Sequence, residues 1–489
     1  MTLLTLSLVS HTNVGKTTLA RTLLAQDVGE VRDAPHVTDS VDHWTLLRTA
    51  DGDELRLADT PGFGDSARLL KRLRGRTNPI GWFLAEVWDR WRDRPFWASQ
   101  QALAQVKANT DLVLYLVSAA ESPEAAGYVA PELALLDWTG KPVVVLLNQL
   151  GLPREPAAEA AEVDRWQRAL SARNVLPLDA FARCWVQEGV LWHTLEAALP
   201  AGEPSAAMAR LRAAWAAERW ATFDAAMGAM AGALSRSALQ REPVGEGAPS
   251  VRERIGAALG SPKAQDAAQA AQRALNAQLG AQLQAATVAL IKLHGLAGDA
   301  ERRIVERVAG AFDVREKVDE GKAALWGGAL TGALTGLKAD IASGGLTLGG
   351  GLLVGAVLGA LGGAGIARGV NVVRGREQSW VGFSAEALNE AAETLLLTYL
   401  AVAHFGRGRG AWAEGEAPPH WRGVIADALA PQRAALDALW TARGDGPADA
   451  TAQHALARAL QPLLAAAARA ALHRLYPAAS PHNRPTTTP

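Results

Sequence analysis

The chain has 489 residues, of which 49% are hydrophobic and 20% charged, so it is long enough for several domains and too apolar to be intrinsically disordered. Its 49 Lys and Arg residues balance 50 Asp and Glu residues, and this near-zero net charge gives no strong signal for nucleic-acid binding. The single cysteine, Cys184, excludes an internal disulfide framework and is typical of a reducing compartment, so we expect a cytoplasmic protein.

The N-terminal 200 residues alternate short apolar runs with helical stretches. Residues 3–9 predict a first strand rather than a signal peptide, and residues 15–26 predict a helix. Residues 42–62 predict two strands joined by a turn at Asp51 and Gly52. Further predicted elements are strands at 111–119, 141–148 and 174–181, with a helix at 131–138. Continuous apolar strands separated by helices predict an α/β fold with a doubly wound, mostly parallel sheet.

The chain after residue 200 has an Ala-rich composition and predicts an all-α region. We divide it into a helical region at 203–322, a Gly-rich helical hairpin at 323–367 and a second helical region at 368–475. A disordered tail is predicted at 476–489. Within the N-terminal domain, 1–200, a Trp-rich insertion at about 66–108 predicts either a helix pair that packs its aromatic side chains or a mobile partner-binding element.

The Gly-rich segment has glycines spaced by four, which place small residues on one helix face and let another helix approach closely. Its second arm, 341–367, is uncharged and long enough to span a bilayer. Lys322 and Arg368 flank the segment, as suits a hairpin that enters and leaves a membrane by one face. Two interpretations stay open: contact with the cytoplasmic face of the inner membrane, peripheral or integral, or tight packing inside a soluble helical domain.

Residues 8–18, LVSHTNVGKTT, nearly match a phosphate-binding loop, in which Gly, four residues and Gly-Lys-Ser/Thr follow a strand and open a helix. Gly15, Lys16 and Thr17 fit this pattern, and Ser10 stands in place of the first Gly. Backbone N–H groups at the helix N-terminus favour phosphate. Lys16 would bridge the β- and γ-phosphates, and the Thr17 hydroxyl would bind Mg²⁺.

A second motif, LRLADTPGF at 55–63, is an apolar strand that ends in Asp-Thr-Pro-Gly. An Asp at the end of a neighbouring strand would hold Mg²⁺, so Asp59 is the predicted metal residue of this motif. The N–H group of Gly62 would contact the γ-phosphate. The two motifs together predict a site for a nucleoside triphosphate and Mg²⁺.

SHTNVGKTTL followed by DTPG resembles the translation-factor-related GTPases, and within them the Era-like group, over roughly residues 1–185. The layout also resembles a family of bacterial proteins that fuse an Era-like GTPase to a helical C-terminal part. The resemblance implies a six-stranded P-loop GTPase domain, GTP/GDP as ligands and Mg²⁺ as cofactor. It assigns catalytic roles to Lys16 and Thr38 and a metal-binding role to Thr38 as well. The residues that it assigns to nucleotide binding are Asn13, Val14, Gly15, Lys16, Thr17, Thr18, Gly62 and Asn148.

The sequence departs from the Era-like pattern at two positions. The family reads guanine with Asn-Lys-x-Asp, whereas Gly151 stands in place of that Asp, which removes two hydrogen bonds of about 1.5–3 kcal/mol each. Asp179 is a speculative substitute. Phe63 occupies the position where related proteins carry a water-orienting Gln, so we expect slow hydrolysis. Candidate sources of a catalytic Arg are Arg68, Arg407 and Arg409.

These patterns favour a Mg²⁺-dependent GTP-binding switch that contacts membrane through 323–367. One alternative is a non-hydrolysing nucleotide-binding scaffold with a protein partner or with a second copy of itself. Another is an ATP-binding variant, given Gly151. His11, inside the phosphate-binding loop, either tunes the site or is an exposed loop residue.

Overall fold

A computed structural model describes residues 1–24, 42–74, 94–150, 156–170, 173–180, 184–243, 262–296, 370–374, 379–404, 420–443, 449–477 and 479. These residues divide into two compact units. The first unit comprises those within Met1–Trp220, His404–Ala411 and Leu475–Pro489, and the second those within Ala221–Ala403 and Trp412–Arg474. The predicted Gly-rich hairpin at 323–367, Thr38, Gly151, Arg407 and Arg409 lie outside the described residues.

Strands and helices alternate along the first unit, as the apolar pattern predicts. In chain order they are β1 (Leu3–Ser10), α1 (Lys16–Leu24), β2 (Asp42–Arg48), β3 (Glu54–Asp59), α2 (Ser66–Leu73), α3 (Arg94–Asn109), β4 (Leu112–Ser118), α4 (Val129–Asp137), β5 (Val143–Asn148), α5 (Pro156–Ala169), β6 (Asn174–Pro177), α6 (Trp185–Ala198) and α7 (Glu203–Leu239). The strands form a six-stranded sheet in the order β2-β3-β1-β4-β5-β6. β2 runs antiparallel to β3, and the other neighbours are parallel.

The central strands are buried on both faces, which explains their continuous apolar sequence. Successive side chains of β4 point to opposite faces, so they contribute to two separate hydrophobic cores. One core contains Leu112, Leu114 and Leu116, and the other contains Val113, Tyr115 and Val117. The predicted doubly wound, mostly parallel sheet is therefore confirmed.

The register of the sheet brings the carboxyl ends of four strands together. Leu8 in β1 pairs with Asp59 in β3, and Ser118 in β4 pairs with Asn148 in β5. Ligands of open α/β sheets bind at the carboxyl ends of strands. The fold therefore places the predicted phosphate, metal and base residues along one edge.

The second unit is mostly helical. Its elements are β7 (Glu242–Pro243), α8 (Pro262–Leu293), β8 (Val370–Arg374), β9 (Ser379–Phe383), α9 (Ala385–Ala403), α10 (His420–Leu429), α11 (Arg433–Ala442) and α12 (Ala450–Leu475), and the last turns of α7 also belong to it. The prediction of an all-α region missed a three-stranded antiparallel sheet in the order β7-β9-β8. Its strands have two to five residues, and runs this short do not distinguish strand from helix.

Within the described ranges, no helix is both long and apolar enough to cross a bilayer. The predicted tail at 476–489 begins with a packed residue, because the ring of Tyr476 stacks on His404 at 5.5 Å between centroids. Residues 478 and 480–489 of that tail lie outside the described residues.

Candidate functional site

The loop between β1 and α1 has the backbone geometry of an anion site. Asn13 and Gly15 have φ angles of 66° and 90°, in the left-handed region. A side chain at Gly15 is also excluded by space, because its Cβ would lie 2.8 Å from Nδ2 of Asn148. Turns of this kind, followed directly by a helix N-terminus, point backbone N–H groups at a bound anion.

Lys16 begins α1 and is buried, with 8% of its surface exposed. Its Nζ donates to Oγ of Ser10 at 3.2 Å, so the residue that replaces the first Gly of the motif is a partner of the lysine. Burial lowers the pKa of Lys16, and the carboxylates of Asp59 and Glu132 oppose this shift. A phosphate placed beside Nζ would supply a further opposing charge.

Thr17 and Asp59 converge from different elements. The Thr17 hydroxyl donates to Oδ2 of Asp59 at 2.6 Å, and Asp59 is buried at the end of β3. A hydroxyl and a carboxylate are hard oxygen donors that suit Mg²⁺, which usually takes only one or two carboxylates and completes its shell with phosphate and water. The donor set therefore fits this cation. Clusters of three or more His, Cys, Asp or Glu that could hold a metal without a bound phosphate are absent from the described residues.

The loop that follows β3 lies against the phosphate-binding loop. A Cβ at Gly62 would be 3.0 Å from Nζ of Lys16 and 3.2 Å from Cα of Thr12. The Phe63 N–H donates to the Ser10 carbonyl at 2.8 Å, and the Thr12 N–H donates to the Phe63 carbonyl at 3.2 Å. Phe63 itself is 0% exposed, so the residue at the position of the water-orienting Gln is part of the core.

Glu132 in α4 is a site residue that the sequence analysis missed. Its Oε1 lies 2.7 Å from Nδ1 of His11, and its Oε2 accepts a hydrogen bond from the Tyr115 hydroxyl at 2.8 Å. The His11 ring also stacks on Tyr128 at 4.4 Å, so His11 is held and is not a free loop residue. The signal available in the sequence is an acid within the apolar run VAPELALL, at a helix position that faces the core.

The other end of the site is organised by Asn148. Its Nδ2 donates to the Val14 carbonyl at 2.7 Å, and its Oδ1 accepts from the Ala180 N–H at 2.9 Å. Asn148 is buried and joins the phosphate-binding loop to the loop after β6. Asp179 accepts from the Leu150 N–H at 2.6 Å, so this carboxylate supports the backbone that follows β5.

The structure thus brings together Ser10, Lys16, Thr17, Asp59 and Gly62, as the two motifs predict. Arg68, a candidate catalytic Arg, lies in α2 with its guanidinium 5.0 Å from the centre of the Phe96 ring and 3.9 Å from Asp65. The remaining candidates, Thr38, Arg407 and Arg409, fall outside the described residues.

Residues 5–149 match the family model described as "50S ribosome-binding GTPase", and this range contains both motifs and Asn148. The N-terminal part of the chain is a P-loop GTPase domain. The match ends before the helical C-terminal part begins. A comparison with curated proteins found no match.

Three solved structures are similar to this chain. A point variant of Era from Aquifex aeolicus bound to GDP and AlF4⁻ is 17% identical over 62% of this chain and 96% of its own, with a TM-score of 0.30. Era in complex with MgGDPNP and nucleotides 1506–1542 of 16S ribosomal RNA is 17% identical over 57% and 90%, with a TM-score of 0.29. A probable GTP-binding protein, engB, is 14% identical over 36% and 88%, with a TM-score of 0.23. The assignment rests on the family match and the motifs, not on these likenesses.

Proposed function

We propose that the GTPase domain binds GTP and GDP together with Mg²⁺ and hydrolyses GTP slowly, as a molecular switch. The observation that supports this most directly is the convergence of Lys16, Thr17 and Asp59 beside the left-handed turn at Gly15. A buried ammonium group, two oxygen donors and a helix N-terminus together suit a Mg²⁺-bound triphosphate.

Each element of the loop has a role in this proposal. The backbone N–H groups of residues 13–18 bind the phosphates, and Lys16 neutralises their charge where burial makes an unpaired ammonium costly. Thr17 and Asp59 hold Mg²⁺, which supplies electrostatic stabilisation of the transferred phosphoryl group when bound. The backbone of Gly62 lies close to Nζ of Lys16, and in this proposal its N–H group contacts the terminal phosphate.

Slow hydrolysis follows from Phe63. Its side chain is buried and cannot orient water, and its backbone is paired with the phosphate-binding loop. Faster turnover then requires another group, for which Arg68, Arg407, Arg409 and a partner's Arg are the candidates.

Guanine is the base that the family assignment favours, although Gly151 removes the carboxylate that would distinguish it from adenine. Both ends of the Asn148 carboxamide are bonded to the backbone, which supports a role for Asn148 in positioning the loops around the base. Base selectivity in this proposal depends on groups around Asn148.

The test is a binding panel of GTP, GDP and ATP with and without Mg²⁺, followed by single- and multiple-turnover assays on the wild type and Thr17→Ala. We expect GTP and GDP to bind more tightly than ATP, GTP binding to require Mg²⁺, and a slow turnover that Thr17→Ala abolishes. Equal affinity for ATP would refute the guanine assignment. Tight GTP binding without turnover would support the scaffold alternative instead.

Membrane contact through 323–367 is a separate proposal that rests on the uncharged, Gly-spaced sequence of that segment. Co-flotation of the full chain with anionic liposomes, in the GDP-bound and GTP-bound states, tests it. A chain that stays out of the lipid fraction in both states would favour packing of the segment inside a helical domain.

A further inference from the structure

A fully buried carboxylate lies next to the phosphate-binding loop. Glu132 of α4 is 0% exposed, and carboxylates are almost never fully buried unless their oxygens are paired. Burial raises the pKa of Glu132, and hydrogen bonds from His11, Tyr115 and Ser66 oppose that rise. The partners of this acid therefore determine whether it can stay ionised.

The partners of Glu132 come from three different elements. His11 belongs to the phosphate-binding loop, and Tyr115 belongs to the central strand β4. Ser66 is the first residue of α2, directly after the loop that contains Gly62 and Phe63, and α2 packs against α4. One carboxylate thus connects the phosphate-binding loop and the start of α2 with the central strand β4.

The orientation of His11 is fixed from two sides. Nδ1 is bonded to Glu132 at 2.7 Å, and the ring is stacked on Tyr128 with an interplanar angle of 19°. The backbone of His11 in turn bridges to Phe63, and Thr12 donates to the Phe63 carbonyl. A shift of the imidazole would therefore move the segment that holds Phe63 and Gly62.

We propose that Glu132 is a positioning residue for GTP hydrolysis, which acts through His11 to hold the phosphate-binding loop and the Phe63 segment in the arrangement that turnover needs. This inference rests on the proposed GTPase function. Turnover depends on precise placement of reacting groups. Binding of GDP, by contrast, depends on the backbone of residues 13–18 and on Lys16 itself.

The experiment compares two variants with a matched control. Glu132→Gln keeps the size of the side chain and removes its charge, and His11→Phe keeps the ring on Tyr128 and removes Nδ1. Asp137→Asn makes the same acid-to-amide change on the same helix, at an exposed residue paired with Arg173. We expect kcat to fall at least about tenfold in the first two variants, with the GDP Kd within about threefold of wild type and no change in the control.

A double variant tests whether the two residues act as one unit. If Glu132 acts through His11, the Glu132→Gln/His11→Phe chain has the same kcat as either single variant, because the second change removes nothing further. Additive losses in kcat would overturn the inference, since they would give the two residues separate roles.

The remaining outcomes separate this inference from the proposed function. If the wild type hydrolyses GTP and both variants have the same kcat as the wild type, the positioning role is refuted and the proposed GTPase function is not. A wild type that binds GTP without any turnover refutes both proposals. If kcat falls in Glu132→Gln only because less protein is folded, as thermal unfolding would show, Glu132 serves the stability of the fold rather than turnover. His11→Phe changes a partly exposed residue and then still tests the role of the pair.

Discussion

The phosphate end of the site, formed by residues 11–18 with Asp59 and Gly62, differs in construction from the base end, formed by residues 148–150 with 179–180. At the phosphate end, Lys16, Thr17 and Asp59 are buried or bonded to one another, and the backbone turn at Gly15 fits no other residue. At the base end, the side chains of Asn148 and Asp179 are bonded to the protein's own backbone.

This difference leads us to expect that the fold determines phosphate recognition more than base recognition. In the proposed site, phosphate is bound by the main chain and the helix N-terminus together with Lys16. Base discrimination would depend on a carboxylate in whose place Gly151 stands, while Asn148 and Asp179 are bonded to the backbone.

The largest expected effect is at the phosphate end. Lys16→Ala should weaken GTP binding at least about a hundredfold, because charge-assisted hydrogen bonds to the β- and γ-phosphates would be lost. Isothermal titration calorimetry measures this loss. Lys107→Ala removes an exposed lysine whose Nζ donates to the Thr139 carbonyl and serves as the control. Similar affinities for the two variants would show that the phosphate end is not where the nucleotide binds.

Gly15→Ala tests whether the two ends depend on each other. The change introduces a Cβ at a φ of 90° and 2.8 Å from Nδ2 of Asn148, and it should destabilise the domain by about 2–4 kcal/mol. Gly140→Ala has a similar φ of 74° with no neighbour within 4 Å, so it isolates the backbone contribution of about 1–2 kcal/mol. Equal losses of unfolding free energy in urea would show that Asn148 does not couple the ends.

Gly151→Asp should increase the selectivity of the base end for guanine over adenine. A restored carboxylate would accept two hydrogen bonds from guanine, so the preference for GTP over ATP should rise about a hundredfold, the lower end of what two such bonds supply. Gly151→Asn, which has the same shape without the charge, should raise it less. Competition binding measures the ratio. A wild type that already prefers GTP a hundredfold would contradict the contrast drawn between the two ends.

The smallest expected effect concerns the strand that supports the phosphate end. Arg56 and Arg48 lower the pKa of Glu54, at the start of β3, to about 2. The pKa is lower in the folded state, so the stabilisation is present above the unfolded value near 4.5 and is lost as pH falls towards 2. Because both arginines are exposed, we expect this stabilisation of the folded state to be about 1–2 kcal/mol. The free energy of unfolding should change less between about pH 5 and about pH 3 in Glu54→Gln than in the wild type.

The sequence predicts the phosphate end well because its determinants are local. Strand, turn and helix follow one another between Leu3 and Leu24, and the spacing of Gly15, Lys16 and Thr17 identifies the loop. The alternation of apolar strands and helices likewise predicts the sheet.

Other features could not be predicted because they depend on contacts between distant parts of the chain. Glu132 lies 121 positions from His11, and only the fold brings the two together. Asn148 is present in the motif, but its bonds to Val14 and Ala180 depend on three loops that meet at the sheet edge. The small sheet of the second unit was missed because its strands are too short for a periodic signal.

Hydrogen exchange at the amide of Thr12 would report whether the phosphate-binding loop holds a nucleoside triphosphate. This amide donates to the Phe63 carbonyl at 3.2 Å, so movement of the Phe63 segment towards a terminal phosphate would break that bond. The Phe63 amide, bonded to the Ser10 carbonyl at 2.8 Å, donates the shorter of the two bonds and serves as the internal reference. We therefore expect deuterium uptake at these two amides to diverge on addition of GTP and to stay parallel with GDP, which would report the binding and loss of the terminal phosphate.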